Sequence, residues 1–146
     1  MDVNVLVALT NESHLHHAES HRWLESADSW ATTPITESGL TRMLLNPAVT
    51  GRKLTRADAL QVIAELRRQP RAGFLPDAST LAEPDIDLAG LVGHKQVTDL
   101  HLVNLAAGSG AVLATFDRRI QECLAPADQG NVHVISARPR LASVTE

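Results

Sequence analysis

Short β-prone runs alternate with helix-length segments along this chain, and an acidic residue stands at each of four points where a run passes into a helix. The four acids are Asp2, Glu37, Asp99 and Asp117. Strands separated by helices pair in parallel and carry helices on both faces of their sheet. The alternation therefore predicts an α/β fold with a central parallel sheet, and such sheets bind ligands at the carboxyl ends of their strands.

Caps, prolines and glycines divide the chain into predicted elements. Helices are predicted over 13–28, 36–46, 55–69 and 98–108, with a short one beginning near Asp117. Strands are predicted over 30–33, 111–115 and 132–135. The segment over 73–93 mixes turn residues with short apolar runs, and no element is assigned to it.

Two of the acids begin the apolar stripe of a helix. At positions i+3, i+4 and i+7 from Glu37 the residues are Leu40, Thr41 and Leu44, and from Asp99 they are Leu102, Val103 and Ala106. Because these offsets share one helical face, both carboxylates are expected on the inward face of their helices. One acid in a first helical turn commonly serves the helix dipole alone, whereas four such acids at strand ends favour a shared site.

Several carboxylates at one site need a positive charge among them. Two carboxylates about 4 Å apart repel by roughly 4 kcal/mol at an effective dielectric constant near 20. Either some of the acids are protonated or a cation lies between them. A set of ligands made only of oxygen atoms selects Mg²⁺ or Mn²⁺ over zinc.

Size and composition restrict the class of protein. With 146 residues, 44% of them hydrophobic, the chain is predicted to form a single domain over 1–146. A formal net charge of −4 argues against binding of nucleic acid through overall positive charge. Any contact with nucleic acid would have to rest on a local basic patch. The lone Cys123 excludes an internal disulfide. With no signal-peptide pattern and no membrane-length apolar run, a cytoplasmic protein without membrane contact is expected.

The motifs around the four acids follow one another as Asp2-Val-Asn-Val-Leu, Thr-Pro-Ile-Thr-Glu37-Ser-Gly, Val-Thr-Asp99-Leu-His and Ala-Thr-Phe-Asp117-Arg. Together they resemble the PIN-domain family, and more narrowly its VapC-type toxin ribonucleases, over nearly the whole chain. The resemblance implies a three-layer α/β/α sandwich and a Mg²⁺-dependent endoribonuclease, the toxin of a type II toxin–antitoxin system. It also implies homodimerisation and a cognate VapB-type antitoxin.

The resemblance also assigns roles by position. Asp2 and Asp99 match metal-binding aspartates of the family, and Glu37 and Asp117 match its remaining acids. Asn4 and Thr115 match polar positions beside them. All four acids are thus expected to be catalytic, with Asp2, Asp99 and Asp117 as metal ligands and Glu37 orienting water or a second ion. Only Met1 precedes Asp2 here, where the family usually has several apolar residues. Either the first central strand is short, or Asp2 lies close to a fraying end.

The substrate RNA is expected to meet arginines near the acids. Arg42, Arg118 and Arg119 are the nearest in sequence, while the runs over 51–56 and 67–71 offer a second basic patch for RNA or an acidic antitoxin segment. The alternative for the three arginines is a solvated face or ion pairs, and the alternative for the second patch is plain solubility. The aromatic residues Trp23, Trp30, Phe74 and Phe116 are expected in the core or as strand anchors, not as a platform for stacking bases.

Three other functions stay open. His14, His17 and His21 share one side of a helix, but a zinc site is disfavoured. The residues from His17 to His21 do not form a His-Glu-x-x-His motif. A catalytically silent PIN-like module that binds a partner protein would use the acids only as caps, and a salt bridge from each acid to an arginine would favour it. A housekeeping PIN nuclease acting on rRNA or DNA differs only in its substrate.

Overall fold

The computed structural model describes residues 1–136. The α-helices in this part of the chain are α1 (Val3–Thr10), α2 (His17–Ser26), α3 (Pro34–Leu44), α4 (Pro47–Thr50), α5 (Arg56–Arg68), α6 (Val97–Gly108) and α7 (Arg118–Glu122). The strands are β1 (Trp30–Thr32), β2 (Ala72–Phe74), β3 (Leu113–Thr115) and β4 (Val132–Val134). The prediction of one domain over 1–146 stays a prediction, and its residues 137–146 lie outside the described part.

The strands form two parallel pairs that the first two residues join. β1 pairs with β2, and β3 pairs with β4. Between the pairs, the Met1 nitrogen donates to the Ala31 carbonyl at 2.9 Å, and the Asp2 amide donates to the Ala114 carbonyl at 2.9 Å. The order across the fold is therefore β2, β1, residues 1–2, β3 and β4. The expected first central strand is reduced to these two extended residues.

Helices cover both faces of this sheet, which is the predicted three-layer α/β/α arrangement. One core packs α1, α2, α3 and α5 around such residues as Leu6, Trp30 and Leu40. The other packs α6 and α7 around Leu100 and Leu113. Because β-strand side chains alternate between faces, Leu113 joins the second core and Ala114 the first. Strand β3 is therefore buried on both sides, as strands inside parallel sheets are.

Most predicted elements exist, and the differences lie at their ends. The helix predicted from residue 13 begins at His17, because the Asn11 side chain accepts the Ser13 amide and forms a turn there. The helix predicted from Thr36 begins at Pro34, because Thr33 and Thr36 form a capping box. The helix predicted from residue 98 begins one residue earlier, at Val97, after a 3₁₀ turn. Helices α1 and α4 and strand β2 have no counterpart among the predicted elements.

The aromatic residues are distributed less uniformly than predicted. Trp30 is buried, and Trp23 and Phe116 pack against the same core. Phe74 is 41% exposed, so a core position is wrong for it, although it does end strand β2. Among the described strands β2 pairs only with β1, so it lies at the edge of the sheet. One side of the strand that carries Phe74 therefore has no neighbouring strand. None of the described helices has both the length and the apolar character that a membrane crossing requires.

Helix α1 lies close against α3, and a glycine makes this approach possible. A Cβ atom at Gly39 would come within 2.5 Å of the Val3 Cγ2 atom. The two helices carry Asp2 and Glu37 at their beginnings. The small residue at position 39 therefore sets how closely these two ends approach.

We expect Gly39→Ala to lower the free energy of unfolding by about 1–2 kcal/mol, because the new methyl group overpacks the contact between α1 and α3. In a Val3→Ala background the same change should be neutral or stabilising, because the clash is gone and alanine favours a helix over glycine by about 1 kcal/mol. Urea denaturation of the four proteins measures both effects. An equal loss in both backgrounds would contradict the close approach.

Candidate active site

The Thr115 hydroxyl lies at the centre of the candidate site, at the carboxyl end of β3. It is fully buried and donates to the Asp2 Oδ2 atom at 2.7 Å. It accepts from the Asn4 side-chain amide at 3.0 Å and from the Asp117 backbone amide at 3.0 Å. A hydroxyl has one hydrogen and two lone pairs, so all of its bonding capacity is used. Three segments of the chain meet at this one oxygen atom.

Asp2 is the most buried of the four acids, with 7% of its surface exposed. Burial raises the pKa of its carboxyl group, against the Thr115 hydrogen bond that lowers it. Because the only hydroxyl hydrogen of Thr115 points at Oδ2, that oxygen acts as an acceptor. Asn4 adds a second link between the start of α1 and the end of β3, because its Oδ1 accepts a hydrogen bond from the Phe116 amide at 3.2 Å.

Asp99 lies in the first turn of α6, between two clefts. One cleft, of about 500 Å³, is lined by Asp2, Asp99 and Arg42. The other, of about 490 Å³, is lined by Asp99, Asp117 and Arg119. Burial, and after it the negative charges of Asp2 and Asp117, together raise the pKa of Asp99 to about 6. These three aspartates are thus electrostatic neighbours.

Asp117 caps α7 and is held by the arginine two residues later. Its Oδ1 accepts from the Arg119 backbone amide at 3.0 Å and from Nε at 2.9 Å, while Oδ2 accepts from Nη2 at 2.8 Å. These hydrogen bonds hold the pKa of Asp117 below its usual value. The Arg119 side chain is 86% exposed, so it is free to turn away into solvent.

Glu37 has different neighbours from the aspartates. Its Oε1 atom accepts from the Thr32 hydroxyl at 2.6 Å and lies 3.7 Å from the Arg67 Nε atom. It lines neither of the two clefts. Its apolar stripe is confirmed, because Leu40 and Leu44 are buried. The catalytic role of Glu37 stays a prediction.

The predicted RNA-binding arginines are distributed unevenly. Arg42 lines the first cleft and Arg119 the second, whereas Arg118 is exposed and lines neither. The second cleft also includes His94 and Lys95, which the sequence analysis missed. In the sequence only their position indicates them, because they directly precede the helix that carries Asp99.

The donor chemistry of the aspartates fits a hard divalent cation. Oxygen atoms are the only side-chain donors they offer, and their mutual repulsion is the kind of strain that a cation relieves. Within residues 1–136, no three side chains among His, Cys, Asp and Glu stand close enough to hold a metal ion between them. Asp117 faces Arg119 instead.

The histidines of the zinc hypothesis serve helix α1. His17 Nδ1 lies 2.7 Å from the Ala8 carbonyl, and His21 Nε2 lies 3.1 Å from the Leu9 carbonyl. The last carbonyls of a helix have no partner within it. The two imidazoles therefore supply the missing donors at the end of α1, and this use of their ring nitrogens opposes a zinc site.

A model of the family described as "PIN domain" matches residues 1–123 of this chain. A protein named Ribonuclease VapC38, from Mycobacterium tuberculosis, is 43% identical over 119 residues, covering 80% of this chain and 83% of the relative. Ribonuclease VapC39 of the same organism is 39% identical over 125 residues, covering 84% and 90%. Ribonuclease VapC29 is 37% identical over 118 residues, covering 80% and 84%.

We expect Thr115→Val to lower the free energy of unfolding by about 2–4 kcal/mol, because the isosteric side chain leaves buried partners in Asp2, Asn4 and Asp117 without their hydrogen bonds. Thr115→Ser keeps the hydroxyl and should cost about 1 kcal/mol for the lost methyl group. Chemical denaturation compares the two. Equal losses would mean that packing, not the hydroxyl, is what matters at this position.

The raised pKa of Asp99 predicts the pH dependence of stability. Between the usual aspartate pKa of 3.8 and about 6, the folded protein keeps a proton that the unfolded chain releases, so the free energy of unfolding should fall as pH rises through this range. Asp99→Asn should flatten the curve and stabilise the metal-free protein at pH 7.5 by about 1 kcal/mol, a value reduced for solvent screening. Denaturation in EDTA measures this, with the exposed Glu12→Gln as control.

Proposed function

This chain belongs to the PIN-domain family, beside relatives named as VapC ribonucleases, and from this we propose that it is a metal-dependent endoribonuclease. It hydrolyses phosphodiester bonds of RNA and acts as the toxin of a toxin–antitoxin pair. The observation that carries the proposal is the group of Asp2, Asp99 and Asp117 at the carboxyl edge of the sheet, where burial and then the charges of Asp2 and Asp117 raise the pKa of Asp99.

The three aspartates are the residues proposed to hold a divalent cation, with Mg²⁺ first and Mn²⁺ second. When bound, such a cation lowers the pKa of a coordinated water molecule and neutralises charge on the phosphoryl oxygens. Thr115 and Asn4 fix the Asp2 carboxylate in one orientation through the hydrogen bonds described above. That fixed orientation removes the need to order a flexible side chain during the reaction.

Positive side chains beside the aspartates are proposed to hold the phosphates of the RNA. Arg42 lines the cleft with Asp2, and Lys95 lines the cleft with Asp117. Their positions allow a single strand of RNA to pass over the aspartates with a positively charged side chain on either side of it. Such local contacts are needed because the chain as a whole has a net charge of −4. Arg119 is proposed to exchange its Asp117 partner for a phosphate.

The proposed protein partners are a VapB-type antitoxin and a second copy of this chain. Both follow from the resemblance of the motifs to VapC-type toxins, and the cytoplasm is the proposed location. Light scattering of the purified protein tests whether it dimerises.

A catalytically silent binding module is the alternative. It would be favoured if every acid were neutralised by an arginine, and within residues 1–136 this applies to Asp117 with Arg119 and to Glu37 with Arg67. Asp2 and Asp99 have no ion pair to an arginine within the same residues. An uncompensated buried carboxylate costs stability and is hard to explain in a protein that has no use for it.

We expect the purified protein to cut a total RNA pool into defined fragments with Mg²⁺ and to leave it intact with EDTA. Asp99→Asn keeps the shape of the side chain and removes its charge, so it should lower the cleavage rate by at least about 100-fold. Sequencing of the fragment ends measures the cleavage and identifies its position.

The matched control is Glu83→Gln, which makes the same change in net charge at an exposed position. It should cleave like the wild type. Absence of metal-dependent cleavage by a folded wild-type sample would reject the nuclease and leave the silent binding module.

A further inference from the structure

The carboxyl edge of the sheet continues beyond the aspartates to a second group of side chains. This group, the Arg67 platform, consists of Thr32, Glu37, Arg67 and Phe74. Thr32 and Phe74 are paired residues at the carboxyl ends of β1 and β2. Glu37 comes from α3 and Arg67 from the last turn of α5.

A chain of contacts holds the guanidinium of this platform. The buried Thr32 hydroxyl donates to Glu37 Oε1 at 2.6 Å, so the carboxylate is fixed from the strand side. The same oxygen atom lies 3.7 Å from Arg67 Nε. Glu37 is 17% exposed, and Arg67 is 48% exposed. The Glu37 carboxylate therefore lies below the surface and holds the guanidinium, which is exposed to solvent.

The guanidinium is stacked on an aromatic ring. The Arg67 Cζ atom lies 4.3 Å from the centre of the Phe74 ring. Phe74 is 41% exposed, although burying such a side chain is worth about 1.5–3 kcal/mol. Glu37 engages the Nε side, and within residues 1–136 no hydrogen bond is formed by the two Nη groups. The platform thus combines an exposed planar cation with free donors and an exposed ring.

The order of the strands sets the distance from the aspartates. Residues 1–2 neighbour β1, and β1 neighbours β2. With strands about 4.8 Å apart, Phe74 stands roughly 10 Å along the edge from Asp2. Thr32 and Phe74 end their strands at the same edge as Asp2. A single strand of RNA that crosses the aspartates can therefore continue directly onto the platform.

We propose that the Arg67 platform binds one nucleotide of single-stranded RNA, with the base stacked on the Arg67 and Phe74 planes and a phosphate on the Nη groups, and that Glu37 is a positioning residue for Arg67. This inference rests on the proposed nuclease function. Unpaired bases stack on aromatic rings and on guanidinium planes, and this interaction tolerates any base. Planar guanidinium donors match a phosphate in geometry and charge.

The first test measures RNA binding without cleavage. The probe is a fluorescein-labelled, unstructured RNA of ten nucleotides, titrated in EDTA and followed by anisotropy. Arg67→Ala and Phe74→Ala should each weaken binding about tenfold, as expected for loss of one stacked base. Phe74→Trp should bind like the wild type, because it keeps a stacking ring. Arg68→Ala removes the same charge from the neighbouring exposed position and should weaken binding only about twofold.

The second test separates positioning by Glu37 from a general charge effect. Removing a negative charge beside RNA ordinarily strengthens its binding. Glu37→Gln should instead weaken binding several-fold, because Arg67 loses its anchor, and should have no further effect in an Arg67→Ala background. Binding of Mn²⁺, measured by calorimetry, should be unchanged in Arg67→Ala and weakened in Asp99→Asn.

The possible failures are distinguishable. If the wild type cleaves RNA with Mg²⁺ but Arg67→Ala binds the probe no worse than Arg68→Ala, the platform is overturned and the nuclease stands. If the variants bind RNA normally but no longer dimerise in light scattering, the surface belongs to a second copy of the chain and the platform is also overturned. A folded wild type that neither cleaves nor binds RNA overturns both proposals.

Discussion

One buried hydroxyl group joins the parts of the molecule on which the candidate site depends. Thr115 ends β3, and its oxygen atom contacts Asp2 before α1, Asn4 in α1 and the amide that precedes α7. A hydroxyl that uses its hydrogen and both lone pairs has no alternative arrangement of equal energy. The directions in which α1 and α7 leave the sheet are therefore tied to the same point as the first aspartate.

Charge is arranged in two different ways along the carboxyl edge. Around Asp2 and Asp99 no arginine or lysine forms an ion pair within residues 1–136, and burial together with the charges of Asp2 and Asp117 raises the pKa of Asp99. Around Glu37 the charge is balanced by Arg67, and this carboxylate lies outside both clefts. Acids that stand at similar positions in the sequence therefore have different electrostatic surroundings. The first arrangement is the one proposed to bind a divalent cation, whereas the second holds the guanidinium of Arg67 towards the solvent.

Helix α1 illustrates how a short element is held at both ends by distant residues. Its first turn follows the two residues that bridge the strand pairs, and the imidazoles of His17 and His21 satisfy carbonyls of its last turn. An isolated helix of eight residues is unstable in water. Its stability here comes from these contacts and from the buried side chains of Val5, Leu6 and Leu9. The orientation of Asp2 and Asn4 depends on all of them.

The sequence by itself determined the α/β class, most helices and the position of each acid at the start of a helix, because periodicity and capping act between residues a few positions apart. It also determined the buried stripes that follow Glu37 and Asp99. Only the tertiary structure decided which acids share a site, that the histidines serve α1, and that Phe74 stands exposed beside Arg67. These outcomes depend on strand order and on contacts between residues far apart in the chain, as between Asp2 and Thr115, which no local pattern encodes.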